Sequence, residues 1–515
     1  MSTGQLDPAQ PESPGSTSPR TAREPGLWTR IRPFVMRLHF YAGIVVGPFL
    51  LIAAVTGLLY TMTPQLEKIV HRHELTVENI GQQAIPLSAQ VSAARTAHPE
   101  GTITEVRPPT SPDGTTRVIL AVDDVPPDYG RTVFVDPYTG EVRGALTTYG
   151  EWLPVRAWID ELHRNLHLGA VGRNYSELAA SWLWVVALGG LVLWIARIRQ
   201  RKQSLRTAVL PDLSKSGRRR VLSWHGAVGV WIVAALLLLS ATGLTWSRYA
   251  GETIGDVRTA LSWTSPSVTS SLTPDASASA SGAGAHGDHG GPAASSASDE
   301  VMTDGVGING VDTAARDAGL QSSLRILPPT DSNTAWTVSE RKRDWPTRYD
   351  SVAVDPATGN VVDRVDFADW PLMAKMTNWT IDAHMGILFG LANQILLALT
   401  AIGLISVIVR GYRLWWLRRP PRATGLSFGS APPRGALTRM PAWAAVSAVL
   451  VVAVLGWYLP LLGISLAAFV AVDILLGLRS RSRASASGAG SQQPSSAAHD
   501  PSREQYELSE EHRDH

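Results

Sequence analysis

RLHFYAGIVVGPFLLIAAVTGLLYTM (37–62) and SWHGAVGVWIVAALLLLSATGLTWSR (223–248) decide the fold, because each is long enough to cross a bilayer and each opens on a histidine. His39 stands 18 residues ahead of Gly57, and His225 stands 18 ahead of Gly243. A helix rises about 1.5 Å per residue, so some 20 apolar residues cover the roughly 30 Å hydrocarbon core. Comparable apolar runs fill Phe34–Met62, Leu178–Ala196, Val221–Trp246 and Met385–Val409. A paired run, Ala442–Leu478, is interrupted by Pro460 and Gly463 and reads as a hairpin of two short spans. The 515-residue chain is therefore expected to be a membrane α-helical bundle.

The net charge of +2 hides a sorted distribution. Arg197 to Arg220 carries nine basic residues against the single Asp212, and Arg410 to Met440 carries seven arginines and no acid. The stretches between the first two spans and between the next two are acidic on balance. Basic loops stay in the cytoplasm, which places both termini there and two large segments outside a bacterial plasma membrane. The Pro/Ser-rich N-terminus reads as a disordered tail, not a cleavable signal. Cysteine is absent, which removes disulfides, thiolate metal sites and iron–sulfur clusters. Acidic outer segments lack the basic stripe that nucleic acid requires; the cytoplasmic arginines suit topology and anionic membrane lipid.

The chain repeats itself. RTVFVDPYTGEVRG (131–144) parallels YDSVAVDPATGNVVD (349–363), and EVRPPTSPDGTTRVIL (105–120) parallels LRILPPTDSNTAWTVS (324–339). Each outer segment is expected to form a short helix (87–98 and 308–319), then alternating strands, with Asp-Pro-x-Thr-Gly as a turn. His163 precedes Gly169 by six residues and Gly190 by 27; His384 precedes Gly390 and Gly411 by the same offsets. The unit is span, α+β extracytoplasmic module, span, used twice, giving four helices plus the unpaired C-terminal two-helix hairpin.

The expected boundaries follow. A tail over 1–33 precedes a first span at 34–62, a module at 63–162, and a second span with an outer extension at 163–197. A basic loop (198–220), a third span (221–247) and a second module (248–378) carrying a Ser/Ala/Gly-rich insert (265–300) come next. A fourth span (379–416), a basic loop (417–440), the hairpin (441–478) and a disordered tail (479–515) complete the chain.

Ionisable residues at membrane depth are costly and generally have a task. His39 and His225 enter from the cytoplasmic side, whereas His163 and His384 lie under the outer modules. Neutral imidazole is a good axial ligand for haem iron, and bundles build cofactor sites from facing helices. Pairing His39 with His225 and His163 with His384 would hold one or two haems at different depths. The paired Thr56-Gly57 and Thr242-Gly243 suit either close approach of a macrocycle or ordinary helix packing. A single histidine near a helix end is usually an interfacial anchor, and a duplication copies structural residues as faithfully as ligands. His167, four residues after His163 on the same helical face, is an alternative ligand or a support for one; its counterpart is Leu388.

LHRNLHLGAVGR, HMGILFGLANQ…GYRLWWLRRP and the Val-Asp-Pro-x-Thr-Gly modules together resemble PepSY-associated transmembrane helix proteins over roughly residues 30–420. That family includes proteins similar to inner-membrane ferrisiderophore reductases, with haem b held by membrane histidines. The resemblance implies PepSY-like outer modules and makes His39, His163, His225 and His384 the positions to test as haem-iron ligands.

Other signals are weaker. GVGING (305–310) matches a dinucleotide-loop pattern but lacks the strand before it, and reads as the lead into a helix. No flavin or nicotinamide site is found. AHGDHGG (285–291), with His286 and His289, reads as solvated linker, and His71 and His73 as an exposed helix extension. The function expected is electron transfer from quinol or a cytoplasmic reductase, through haem, to a ferric chelate or siderophore outside. The rival is a non-catalytic membrane protein whose modules bind or regulate extracytoplasmic proteins or peptidases.

Overall fold

The computed structural model describes residues 26–273, 302, 305–418 and 442–489. The N-terminal tail to 25, the insert over 274–300 with His286 and His289, the basic loop over 419–441 and the tail beyond 489 lie outside the described residues.

The first half runs α1 (Leu27–Val45), α2 (Gly47–Tyr60), α3 (Thr63–Val70), α4 (Arg72–Leu75), α5 (Leu87–Ala97), β1 (Thr102–Arg107), β2 (Thr116–Ala121), β3 (Tyr129–Val135), β4 (Val142–Tyr149), α6 (Pro154–Asn165) and α7 (Gly169–Gln200). After α8 (Leu205–Val209), the second half runs α9 (Gly217–Thr245), α10 (Tyr249–Ala260), α11 (Gly307–Asp317), β5 (Leu324–Leu327), β6 (Trp336–Glu340), β7 (Ser351–Val354), β8 (Val361–Val365), α12 (Leu372–His384) and α13 (Gly390–Trp416). The hairpin α14 (Ala442–Tyr458) and α15 (Pro460–Ala489) follows. Stretches within α7, α9, α13 and α15 are long and apolar enough to cross a membrane.

The span expected over 34–62 is broken: α1 and α2 meet at a 57° bend. Pro48 has no N–H to offer the carbonyl of Ile44, four residues back, so the ladder opens there. The Tyr412 hydroxyl donates to that orphaned oxygen at 2.7 Å. Gly47 permits the approach, since a Cβ there would sit 3.0 Å from the same hydroxyl.

The second and fourth spans differ from expectation at their starts. His163 and His384 do not head the long helices; they lie near the ends of the shorter α6 and α12. Leu166 and His167 take positive φ (56° and 54°), which no helix tolerates in its interior, and the chain turns there into α7.

The two α+β segments share one antiparallel sheet, ordered β4-β3-β2-β1-β5-β6-β7-β8. They join where Val106 faces Ile326, and the Arg325 guanidinium donates to Glu105 at 2.7 Å beside that seam. Ser88 and Asn309 bond across it between α5 and α11. Alternation along the strands puts Val106, Ile326, Val338 and Val352 under α5 and α11, in one core with Val91, Ala94, Ile308 and Val311. The first Asp-Pro-x-Thr-Gly turn closes as expected: Asp136 accepts the amides of Tyr138 (2.8 Å) and Thr139 (3.2 Å). GVGING leads into α11, and Gly305 rests on the second such turn, where a Cβ would lie 2.1 Å from the Pro356 carbonyl. Of the expected insert, residues up to 273 are ordered onto the sheet, with Ser271 bridged to Thr334.

The C-terminal hairpin packs on the bundle. Leu459 and Leu462 enter the core of α7 and α9, and Trp182 donates to Ser465 at 2.8 Å. Arg37, 3 % exposed, is ion-paired with Asp473 of α15.

Candidate functional site

At the end of the bundle away from the sheet, His39 of α1 meets His225 of α9. Their ring centroids are 6.4 Å apart with planes at 78°. Each ring is held from within its own half. His39 Nδ1 lies 3.0 Å from the Val186 carbonyl, and His225 Nδ1 lies 3.0 Å from the Val407 carbonyl. A carbonyl only accepts, so both Nδ1 atoms carry the proton and both Nε2 atoms keep a lone pair. One turn beyond each carbonyl is a glycine: a Cβ on Gly190 would be 2.9 Å from His39 Cε1, and one on Gly411 would be 3.7 Å from His225 Cε1.

At the sheet end the same construction recurs with different partners. The Thr56 hydroxyl donates to the Ile52 carbonyl at 2.9 Å and so accepts from His163 Nδ1 at 2.8 Å. Thr242 donates to Leu238 at 2.8 Å and accepts from His384 Nδ1 at 2.5 Å. Nε2 is again the free nitrogen on both rings. The Thr-Gly pairs thus receive imidazoles: a Cβ on Gly57 would lie 3.3 Å from His163 Cε1, and one on Gly243 3.8 Å from His384 Cε1. Both rings line one cavity of about 210 Å³, walled mainly by apolar residues such as Leu50, Leu183, Leu236 and Leu404, with Trp246 5.9 Å from His384. Asp160, Arg164, Arg173 and Glu177 supply its charges.

His167 is not part of this cavity. The helix ends before it, so the i,i+4 relation to His163 does not apply; its ring lies 4.8 Å from Trp158 and 3.4 Å from Glu161. His71 caps the end of α3 and is buried, and His73 Nδ1 accepts from Arg143 at 3.0 Å; neither lines the cavity.

Between cavity and sheet lies a layer of buried charge that sequence reasoning missed, because its members come from distant segments without a shared spacing. Arg343 bonds Glu151 and Asp382, and Tyr349 donates to Asp382 at 2.6 Å. Burial alone would raise the Glu151 carboxyl, but Arg343, Arg341 and Arg107 outweigh it and hold the group well below the usual carboxylate range. Asp160 is pushed the other way, to about 6, by burial against the weaker pull of Arg164 and Arg156. Burial likewise lifts Glu67 to about 7 despite Arg156.

No curated protein matches the chain. The model of the PepSY-associated TM region matches residues 36–418, which takes in all four histidines and both α+β segments and leaves out the C-terminal hairpin. The chain is a membrane protein and belongs to the PepSY-associated TM family.

Proposed function

We propose that the protein is a haem-b electron carrier of the bacterial plasma membrane, built from two copies of one span–module–span unit, which reduces ferric chelates, siderophore complexes foremost, on the extracytoplasmic side. The observation that carries this reading is the meeting of four histidines in two places, each with Nδ1 engaged and Nε2 free. Two imidazoles gripping one metal through nitrogens about 2.0–2.1 Å away have ring centres roughly 6 Å apart, and the His39–His225 spacing of 6.4 Å fits. Engaging the second ring nitrogen with a backbone carbonyl or hydroxyl orients a ligand and fixes its tautomer.

Bound haem would supply reversible one-electron chemistry at two depths. The chain's own residues do the rest. His39 with His225, and His163 with His384, would hold the iron, and the flanking glycines let each ring seat against a neighbouring helix. The apolar cavity walls keep water from the sheet-end site. The sheet and the buried Arg343 layer stand over that site, and the outer modules would offer the surface on which a chelate rests. Transfer of one electron converts Fe(III) to Fe(II), which the chelator grips far less well. Quinol or a cytoplasmic reductase would feed the His39–His225 end, which the basic loops would keep on the cytoplasmic side.

The test is the optical spectrum of protein purified in detergent from haem-replete cells. A Soret band with sharp reduced b-type bands is expected. Colourless protein would sink the reading and leave the non-catalytic alternative, in which the outer modules bind or regulate other proteins.

A further inference from the structure

The cavity that holds His163 and His384 is cationic at one side only. Arg164, at the end of α6, and Arg173, in the first turns of α7, both line it. Their counterparts in the second half are Met385 and Gln394, so no matching cations face them from α12 and α13. Arg173 is within electrostatic reach of both Arg164 and Arg248. Like charges brought together in a wall of low polarity repel unless an anion sits among them.

The acids present discharge that duty only in part. Glu177 is spent on the amides of Tyr249 (2.9 Å) and Ala250 (3.1 Å) at the start of α10. Asp160 lies 4.0 Å from Arg164 Nε, beyond hydrogen-bond reach. That Nε is buried with no hydrogen-bond partner, although the guanidinium also meets Tyr149 and about a third of the side chain is exposed; a buried donor left unmade is costly. Arg173 gives Nη2 to the Trp246 carbonyl at 3.1 Å.

We propose that Arg164 and Arg173 form an anion subsite that takes the two carboxylates on one edge of the porphyrin held by His163 and His384, and so fix which way that macrocycle faces. The inference rests on the haem reading above and deepens it. An amphiphilic disc in a membrane cavity turns its charged edge toward the polar end, and these arginines stand at the sheet end beyond the apolar walls. Guanidinium forks match carboxylates in geometry as well as charge. The anionic oxygens of a ferric chelate share that chemistry, but the arginines line the same cavity as the histidines, which favours the porphyrin.

The experiment follows release of haem from purified holoprotein to excess apomyoglobin. Wild type should lose its two haems in two phases. Arg164→Gln/Arg173→Gln should speed one phase by about tenfold or more, the loss expected for charged hydrogen bonds, and Arg164→Lys/Arg173→Lys should recover part of it. The other phase, from the His39–His225 site, should not change and reports an intact fold. Unchanged release of both haems would overturn the assignment. So would unchanged release with weakened binding of a ferric chelate, read by tryptophan quenching, since the anion would then be the substrate. A wild-type protein without haem would fail the earlier reading, not this one alone.

Discussion

His39 and His225 stand at matching positions of the two halves, and their imidazoles come within 6.4 Å of each other. His163 and His384, also matching positions, share a cavity, and Val106 pairs with Ile326 at the sheet seam. Residues that face their own counterparts would lie near the axis relating the two copies of the proposed duplicated unit. A site on such an axis takes one ligand from each half. His225→Ala is therefore expected to remove one haem of two and leave the other, whereas His163→Ala should remove the other alone. Haem per chain from the pyridine haemochromogen decides it; equal loss of both haems in either variant would contradict separate sites.

The glycines make the two halves unequal in a way that mutation can read. A Cβ at Gly190 would sit 2.9 Å from His39 Cε1, closer than carbon atoms approach, but one at Gly411 would sit an ordinary 3.7 Å from His225. Gly190→Ala should therefore displace the His39 ring and disturb the spectrum or midpoint potential of the site. Gly411→Ala should leave both within error. Similar behaviour of the two variants would show that the ring yields freely.

Much of this was legible in the sequence. Apolar run length gave the spans, the Asp-Pro-x-Thr-Gly repeats gave the turns and strands, and equal offsets between histidines and glycines pointed to the pairs. The reason for the offsets was legible only in part: Gly57 and Gly190 make room for an imidazole of a neighbouring helix, Gly243 and Gly411 stand at ordinary contact from one, and Gly169 and Gly390 face none; a spacing along one chain segment does not say what stands opposite. Helix periodicity misplaced His167, because two positive-φ residues break the helix just before it matters. The break between α1 and α2 falls at Gly47-Pro48 inside what the sequence presented as one span, and Tyr412, far along the chain, satisfies the carbonyl freed there. The joining of two modules into one sheet depends on a single seam, β1 on β5, that local patterns do not encode.

Arg37 departs from the repeat, since its counterpart is Ser223, and its acid comes from the hairpin beyond the family match. Removing one partner of a buried ion pair costs about 3–5 kcal/mol, whereas exchanging both leaves the charges paired. Arg37→Ala and Asp473→Ala should each lower thermal stability in detergent, and Arg37→Asp with Asp473→Arg should recover a good part of the loss. Docking has its own readout: Tyr41 and Phe469 rings lie 5.8 Å apart, and the chain contains no cysteine. Tyr41→Cys/Phe469→Cys should cross-link efficiently on mild oxidation in wild-type background and poorly once Asp473 is replaced. Efficient cross-linking in both would show that the ion pair does not hold the hairpin.

Glu67 carries a pH dependence whose sign follows from burial. Burial raises its carboxyl from 4.5 to about 7, against the opposing charge of Arg156 and its amide at 3.3 Å. In the unfolded chain the group ionises near the lower value, so the folded state binds the extra proton between the two. Its contribution to stability is complete below pH 4.5 and is lost as pH rises through 7, by at most about 3 kcal/mol. Asp160 acts with the same sign but between 3.8 and about 6, so the interval from pH 6 to 7.5 isolates Glu67. Melting followed by tryptophan fluorescence in detergent should show wild type losing stability across that interval relative to Glu67→Gln, with the variant the more stable of the two at pH 8. A difference that stays constant with pH, or grows toward acid, would mean that Glu67 is ionised in the folded protein and that Arg156 prevails over burial.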